Sequence, residues 1–311
     1  MVTPTFIAQQ PLQKLQQALQ QQRQQRSEQT LRGDSRVLLL AASQLSIELL
    51  PALHQALASL PVGDHLDVVI YSRGGVVNGV RRLALLLHEY AEKLTFIVPH
   101  YCESSATLLC LSGQQLIAGP LSIFSPIDPQ LQAESAADGM PSSISAQDLR
   151  LFPEALSDWF QLADEDAVSF AVQQLAQSIF PTTLTSFYRA NQEQQMIARQ
   201  LLERSGSTLS KQQQHAIVEQ LVQGYHSHSY AITDSELAAL GLPVVRDTAI
   251  YSQALDIADQ VRAHLGAGAR SDAQQPWCDA IIASCTLQHS RWHQPDALQP
   301  QWQTLRADAA Q

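Results

Sequence analysis

The sequence predicts an α/β fold: a mostly parallel sheet with flanking helices, followed by a largely helical second half. Three observations carry this. Short apolar runs of strand length alternate with amphipathic helical runs between residues 36 and 120, and that alternation is the pattern of βα units. The run "LDVVIYS" (66–72) is apolar at nearly every position, as a strand covered on both faces must be. Residues 153–222 then carry helical spacing, broken near Pro181 and at "SGSTLS" (205–210).

The elements follow in order. In the Gln-rich stretch 12–31, Leu12, Leu15 and Leu19 recur at helical spacing, which predicts an amphipathic helix suited to an interface or to capping the core. "RVLLLAAS" (36–43) is a short strand, and "IELLPALHQALASLP" (47–61) a helix with Pro51 in its first turn. After the strand at 66–72, residues 75–93 form a helix with Leu83, Leu86, Leu87 and Tyr90 on one stripe. Strand (94–100), helix (105–113) and strand (115–120) follow. Residues 132–145, rich in small residues, read as a loop. At 232–245 Thr233 is an N-cap, Glu236 completes a capping box and Gly241 ends the helix. The pattern divides the chain into an N-terminal Gln-rich helix (1–35), a main domain (36–265) with a helical insertion at about 150–222, and a tail (266–311) of loop and one short helix.

Composition narrows the function. The 311 residues are 45% apolar, enough for a sizeable core. The net charge is −10, with 3 Lys against 16 Arg. That argues against nucleic acid, whose binding needs a basic patch, and against an anionic membrane surface. No 18-residue apolar run predicts a transmembrane span, and the N-terminus lacks the pattern of a secretory signal. Cys102 and Cys110 fall in apolar surroundings, and the four cysteines fit a reducing cytoplasm. Cys278, Cys285, His289 and His293 admit a zinc reading, with the histidines four apart on a helix, but the spacing is not a usual ligand pair. The expectation is no metal and no cofactor; the "RGG" turn lacks the spacing and Lys of a P-loop.

Two strand-to-helix turns carry the candidate chemistry. "YSRGGVVNG" (71–79) places two glycines where backbone amides can approach an anion. In "HYCESSATLLCLSG" (100–113), Ser104 sits between strand and helix. It reads as an ordinary N-cap, or as a hydroxyl held where helix N-terminal amides favour a developing oxyanion.

Read together, the segments resemble a known family. "SRGG" (72–75), "PHYCESSATLLCLSGQQLIAG" (99–119), "SIFSPIDPQ" (122–130) and "SHSYAITDSELAALGLPV" (227–244) occur in the order seen in the serine dehydrogenase proteinase family. That family lies in the ClpP/crotonase superfamily and is distantly related to signal peptide peptidase A. The resemblance spans about residues 12–250. It implies a ClpP/crotonase-like fold and a serine peptidase acting on a peptide or protein substrate, with homo-oligomeric assembly. It further implies Ser104 as nucleophile, His228 as base, Asp128 as the residue fixing the imidazole, and the amides of Gly75 and Ser105 as oxyanion hole. His226 is an alternative base. Each residue also has an ordinary reading: surface histidines for the pair, and a turn residue for Asp128.

A Ser–Lys dyad is disfavoured, because Lys14, Lys93 and Lys211 are the only lysines and none follows the Ser turn at the required place. Two departures stand out: Arg73 replaces the family's Pro, and Glu103 its Lys. The substitutions suggest an Arg73–Glu103 pair, which an inconsequential Glu103→Gln change would disprove. They also keep open a catalytically inactive module of the same fold that binds a peptide or partner. A crotonase-type thioester enzyme is a third reading, disfavoured by the "PIDPQ" and "SHSYAIT" segments.

Overall fold

The computed structural model describes residues 5–25, 35–132, 143–161, 165–206, 208–265 and 275–307. Expectations for residues 26–31, for most of the 132–145 loop, for Ser207 and for 266–274 fall outside these.

The first helix, α1 (Gln9–Gln25), buries Leu12, Leu15 and Leu19. β1 (Val37–Ala42) leads through a 3-10 turn at Ile47–Leu49 to α2 (Leu50–Ala58), with Pro51 in its first turn. Next come β2 (His65–Ser72), α3 (Val77–Tyr90), β3 (Lys93–Val98), the two-residue β4 (Tyr101–Cys102), α4 (Ser105–Cys110), β5 (Gln115–Ala118) and β6 (Ile123–Phe124). β7 (Gln130–Gln132) and β8 (Ser143–Ser145) form an antiparallel pair. Four helices follow: α5 (Ala146–Phe160), α6 (Glu165–Ser178), α7 (Pro181–Arg204) and α8 (Lys211–Gln223). Then come α9 (Asp234–Ala239), β9 (Val244–Val245), α10 (Thr248–Leu265), β10 (Trp277–Ala283), β11 (Leu287–His293) and β12 (Gln301–Arg306).

The main sheet runs β12-β11-β10-β1-β2-β3-β5-β9, with β4 and β6 continuing from the end of β2. It is parallel from β1 through β9. β1 and β2 are buried along almost their whole length because helices cover both faces. One core layer joins Leu38, Leu40, Val68, Ile70 and Phe96 to helices α2, α3, α4, α7 and α8. The opposite layer joins Leu39, Val69 and Ile97 to α1 and α10. Thus the leucine stripe of α1 is used within the chain rather than offered to a partner.

Arg23 of α1 fixes that packing. Its NH2 lies 2.7 and 2.6 Å from the two oxygens of the buried Asp67 carboxylate on β2.

The tail corrects an expectation. The predicted short helix is instead three antiparallel strands, with β10 pairing against β1. A seven-residue run such as "WCDAIIA" suits strand or helix equally by pattern; the unpaired edge of β1 decides it. The histidines expected on one helix face lie on β11. His289 Nδ1 is 2.9 Å from Thr304 Oγ1, and His293 Nε2 is 2.7 Å from Asp279 Oδ2. Among the described residues no group of three or more His, Cys, Asp or Glu is placed to hold a metal ion.

Candidate active site

The site is assembled at the C-terminal ends of the parallel strands, where the chain turns into helices. β2 leads into Arg73-Gly74-Gly75. Gly74 has φ 111° and Gly75 φ 153°. Both need to be glycine. A Cβ on Gly74 would stand 2.9 Å from Ser104 Cβ, and one on Gly75 would stand 2.2 Å from the Leu45 carbonyl oxygen. Leu45 brackets this turn, its amide donating to Gly74 O at 2.7 Å and its carbonyl accepting from Val76 N at 2.8 Å.

β4 leads into the Ser104 turn. Ser104 has φ 52° and ψ −123°, an unfavourable backbone for a residue with a side chain. It persists because neighbours fix it. Ser125 Oγ accepts from Ser104 N at 2.7 Å, Thr107 Oγ1 accepts from Ser125 N at 3.2 Å, and Thr107 Oγ1 donates to Cys102 O at 2.7 Å. Ser104 is the N-terminal flanking residue of α4, yet its side chain makes no cap hydrogen bond. The hydroxyl is therefore not spent on the ordinary capping role. Among the described residues neither the Gly75 nor the Ser105 amide donates to a protein acceptor. The Ser105 hydroxyl is buried without a partner.

Asp128 and His228, 100 residues apart in sequence, meet: His228 Nδ1 lies 2.6 Å from Asp128 Oδ1. Two backbone ties bring them together. Phe124 and Ile232 exchange hydrogen bonds at 3.0 and 2.8 Å, and Ile127 N donates to Leu221 O at 2.9 Å. Asp128 is buried, whereas the His228 side chain is 31% exposed and thus open to an incoming group. Burial pushes the Asp128 carboxyl up, but hydrogen bonds from His228 and Ser145 outweigh it and hold it below its ordinary range. His226 is exposed and shares none of these contacts. Among the described residues no hydrogen bond joins Ser104 Oγ to His228.

Glu103 is half-buried. Desolvation raises its carboxyl, while the nearby Arg73 guanidinium, and the His228 imidazole when protonated, pull it back down. The Arg73 guanidinium lies 4.2 Å from the Tyr101 ring centroid, a cation–π contact. Arg73 therefore acts on Glu103 as a neighbouring charge.

Sequence reasoning missed Ser125, Thr107, Leu45 and Ser145. Only Ser145 left a local signal, the S-x-x-D spacing to Asp148 that marks a helix start.

A parallel sheet with paired glycine and serine turns at its C-terminal edge defines the ClpP-like class of fold. Residues 6–260 match the family model described as ClpP-like SDH-type serine proteinase, and the chain belongs to that family. Two curated proteins of Methanocaldococcus jannaschii are also similar. Uncharacterized protein MJ1495 is 24% identical over 190 residues, 61% of this chain and 55% of that protein. Uncharacterized protein MJ0137 is 26% identical over 190 residues, 61% of this chain and 57% of that protein. The matched region spans just over half the length of both relatives. No helix among the described residues is long and apolar enough to cross a membrane.

Proposed function

We propose that the protein is a serine peptidase that cleaves peptide bonds through an acyl-enzyme. The observation that carries this reading is the 2.6 Å contact of His228 Nδ1 with the buried Asp128 carboxylate. An Nδ1–H donated to Asp128 leaves Nε2 unprotonated, the form a general base requires. Ser104 Oγ attacks the scissile carbonyl carbon and His228 Nε2 takes its proton. The amides of Gly75 and Ser105 hold the oxyanion. Collapse breaks the C–N bond, and the leaving amine takes the proton from His228. Water then attacks the ester by the same route, releasing the acid and restoring Ser104.

The substrate is a peptide or protein, and the working form is a homo-oligomer. Exposed Trp159, Phe160, Phe170 and Phe180 on the helical insertion supply apolar surface for self-association. The four free cysteines fit a reducing, cytoplasmic setting.

A second reading, an inactive module that binds a peptide, is favoured by one observation: Ser104 and His228 share no hydrogen bond. Catalytic hydrogen bonds often tighten only when substrate binds, so we favour the peptidase. Fluorophosphonate labelling tests this. Labelling of wild type that is abolished in both Ser104→Ala and His228→Ala is expected; a folded wild type that takes no label would disprove it.

A further inference from the structure

We propose that Ser145 is a positioning residue for the Asp128–His228 pair, and that the first turn of α5 clamps both partners in register. The inference rests on the peptidase reading for its kinetic consequence, though not for its geometry.

Ser145 has two simultaneous tasks. As N-cap of α5 its Oγ accepts from Gln147 N at 2.9 Å, and its own amide donates to Asp148 Oδ2 at 3.0 Å. The same Oγ donates to Asp128 Oδ2 at 2.6 Å. Asp128 therefore has one carboxylate oxygen on His228 and the other on Ser145. A carboxylate gripped at both oxygens cannot rotate about its terminal bond. A hydroxyl that already accepts from a helix amide has its proton directed away from that helix, toward the carboxylate.

The following residues fasten the histidine side. Gln147 Nε2 donates to Gln223 O at 3.0 Å and to Tyr225 O at 3.1 Å. Arg150 NH2 donates to Gln223 O at 3.2 Å, and its Nε donates to Gln147 Oε1 at 3.1 Å. Those carbonyls end α8 and begin the loop that carries His228. Ala146 N donates to Pro129 O at 3.1 Å, tying the same turn to the residue after Asp128. One helical turn thus holds the acid through Ser145 and Ala146, and the histidine loop through Gln147 and Arg150. The charged groups near the pair are Glu103 on the nucleophile turn, which His228 affects, and Arg73 on the glycine turn, which affects Glu103; Asp148 and Arg150 of α5 engage the Ser145 amide and the Gln223 carbonyl.

The consequence is a tautomer. An imidazole free in water favours the Nε2–H form, and a correctly aimed Asp128 enforces Nδ1–H. The experiment is nitrogen-15 NMR of the histidines in full-length wild type, Ser145→Gly and Ser145→Thr, with His228→Gln to assign the resonance. Glycine caps a helix nearly as well as serine, so the fold is kept while the donor is lost. Ser145→Cys, close in volume and a weak donor, serves if the glycine variant does not fold.

The expected result is Nδ1–H for His228 in wild type, a shift toward Nε2–H in Ser145→Gly, and restoration in Ser145→Thr. Fluorophosphonate labelling should slow at least about tenfold in Ser145→Gly, the lower end of the effect of losing one hydrogen bond to a charged group. An unchanged Nδ1–H tautomer in the folded glycine or cysteine variant overturns the inference. A tautomer shift without any labelling of wild type leaves Ser145 as the positioning residue and removes the peptidase reading instead.

Discussion

Glu103 stands one residue before Ser104, and burial raises its carboxyl against the pull of the nearby Arg73. In the proposed mechanism its charge opposes an oxyanion held at the Ser105 amide. Glu103→Gln removes that repulsion, so kcat/KM should rise. Steady-state kinetics of the two proteins check this. Asp128 has the opposite linkage to the buried Asp67. Its folded pKa lies below the unfolded value of 3.8. Its stabilisation is therefore present above that value and is lost as pH falls through the lower folded pKa. Asp128→Asn should remove this acid-side slope from a denaturant series taken between neutral pH and pH 3. Gly75→Ala should destabilise by about 3 kcal/mol, because its Cβ would meet the Leu45 backbone, which cannot swing aside as a side chain can. Thermal unfolding reads that directly.

Among the elements, α1 is tied to the sheet by its buried leucines and by Arg23. Arg23 reaches a carboxylate on β2 that burial pushes up to about 6 despite the guanidinium. Removing Arg23 takes away the cation hydrogen-bonded to both oxygens of that buried group, so Arg23→Met should cost about 3 kcal/mol. The double variant with Asp67→Leu should recover most of this, since apolar replacements of buried ion pairs are often neutral. Chemical denaturation of the three proteins gives the comparison. The pH dependence follows from the sign of the shift. The folded Asp67 carboxyl binds its proton more tightly than the unfolded one, whose value is 3.8. Its contribution is full below that value and is lost as pH rises through about 6.

How much of this was legible depends on how local each cause is. Apart from the two-residue β4, the strands and helices from β1 to β5, and the capping box at Thr233, follow from periodicity and turn chemistry within a few residues. The Ser104 and Gly75 turns could be found because each is a strand-to-helix junction with its own sequence. Ser125 could not, and Ser145 showed only as a helix start, because their partners, Ser104 and Asp128, lie 21 and 17 residues away. The tail strands were illegible for the same reason: the deciding neighbour, β1, is far upstream in sequence.

At the scale of the molecule, the sheet is two unlike halves joined at β1. One half is parallel and carries the candidate site; the other, β10–β12, is antiparallel. A chain shortened to residue 265 would expose the whole β1 edge, and size-exclusion chromatography should find it aggregated.

That junction also has a history in time. Ser43 N donates to Asp279 O at 2.8 Å, and Leu45, two residues on, brackets Gly74 and Gly75. The support of the glycine turn is thus anchored on a strand translated about 200 residues later. At roughly 5–20 residues per second, that is an interval of about 10–40 s. Through that interval a growing chain carries its serine turn without the finished cradle beside it. Ribosome-bound chains halted before Trp277 should therefore resist fluorophosphonate, and those released complete should accept it.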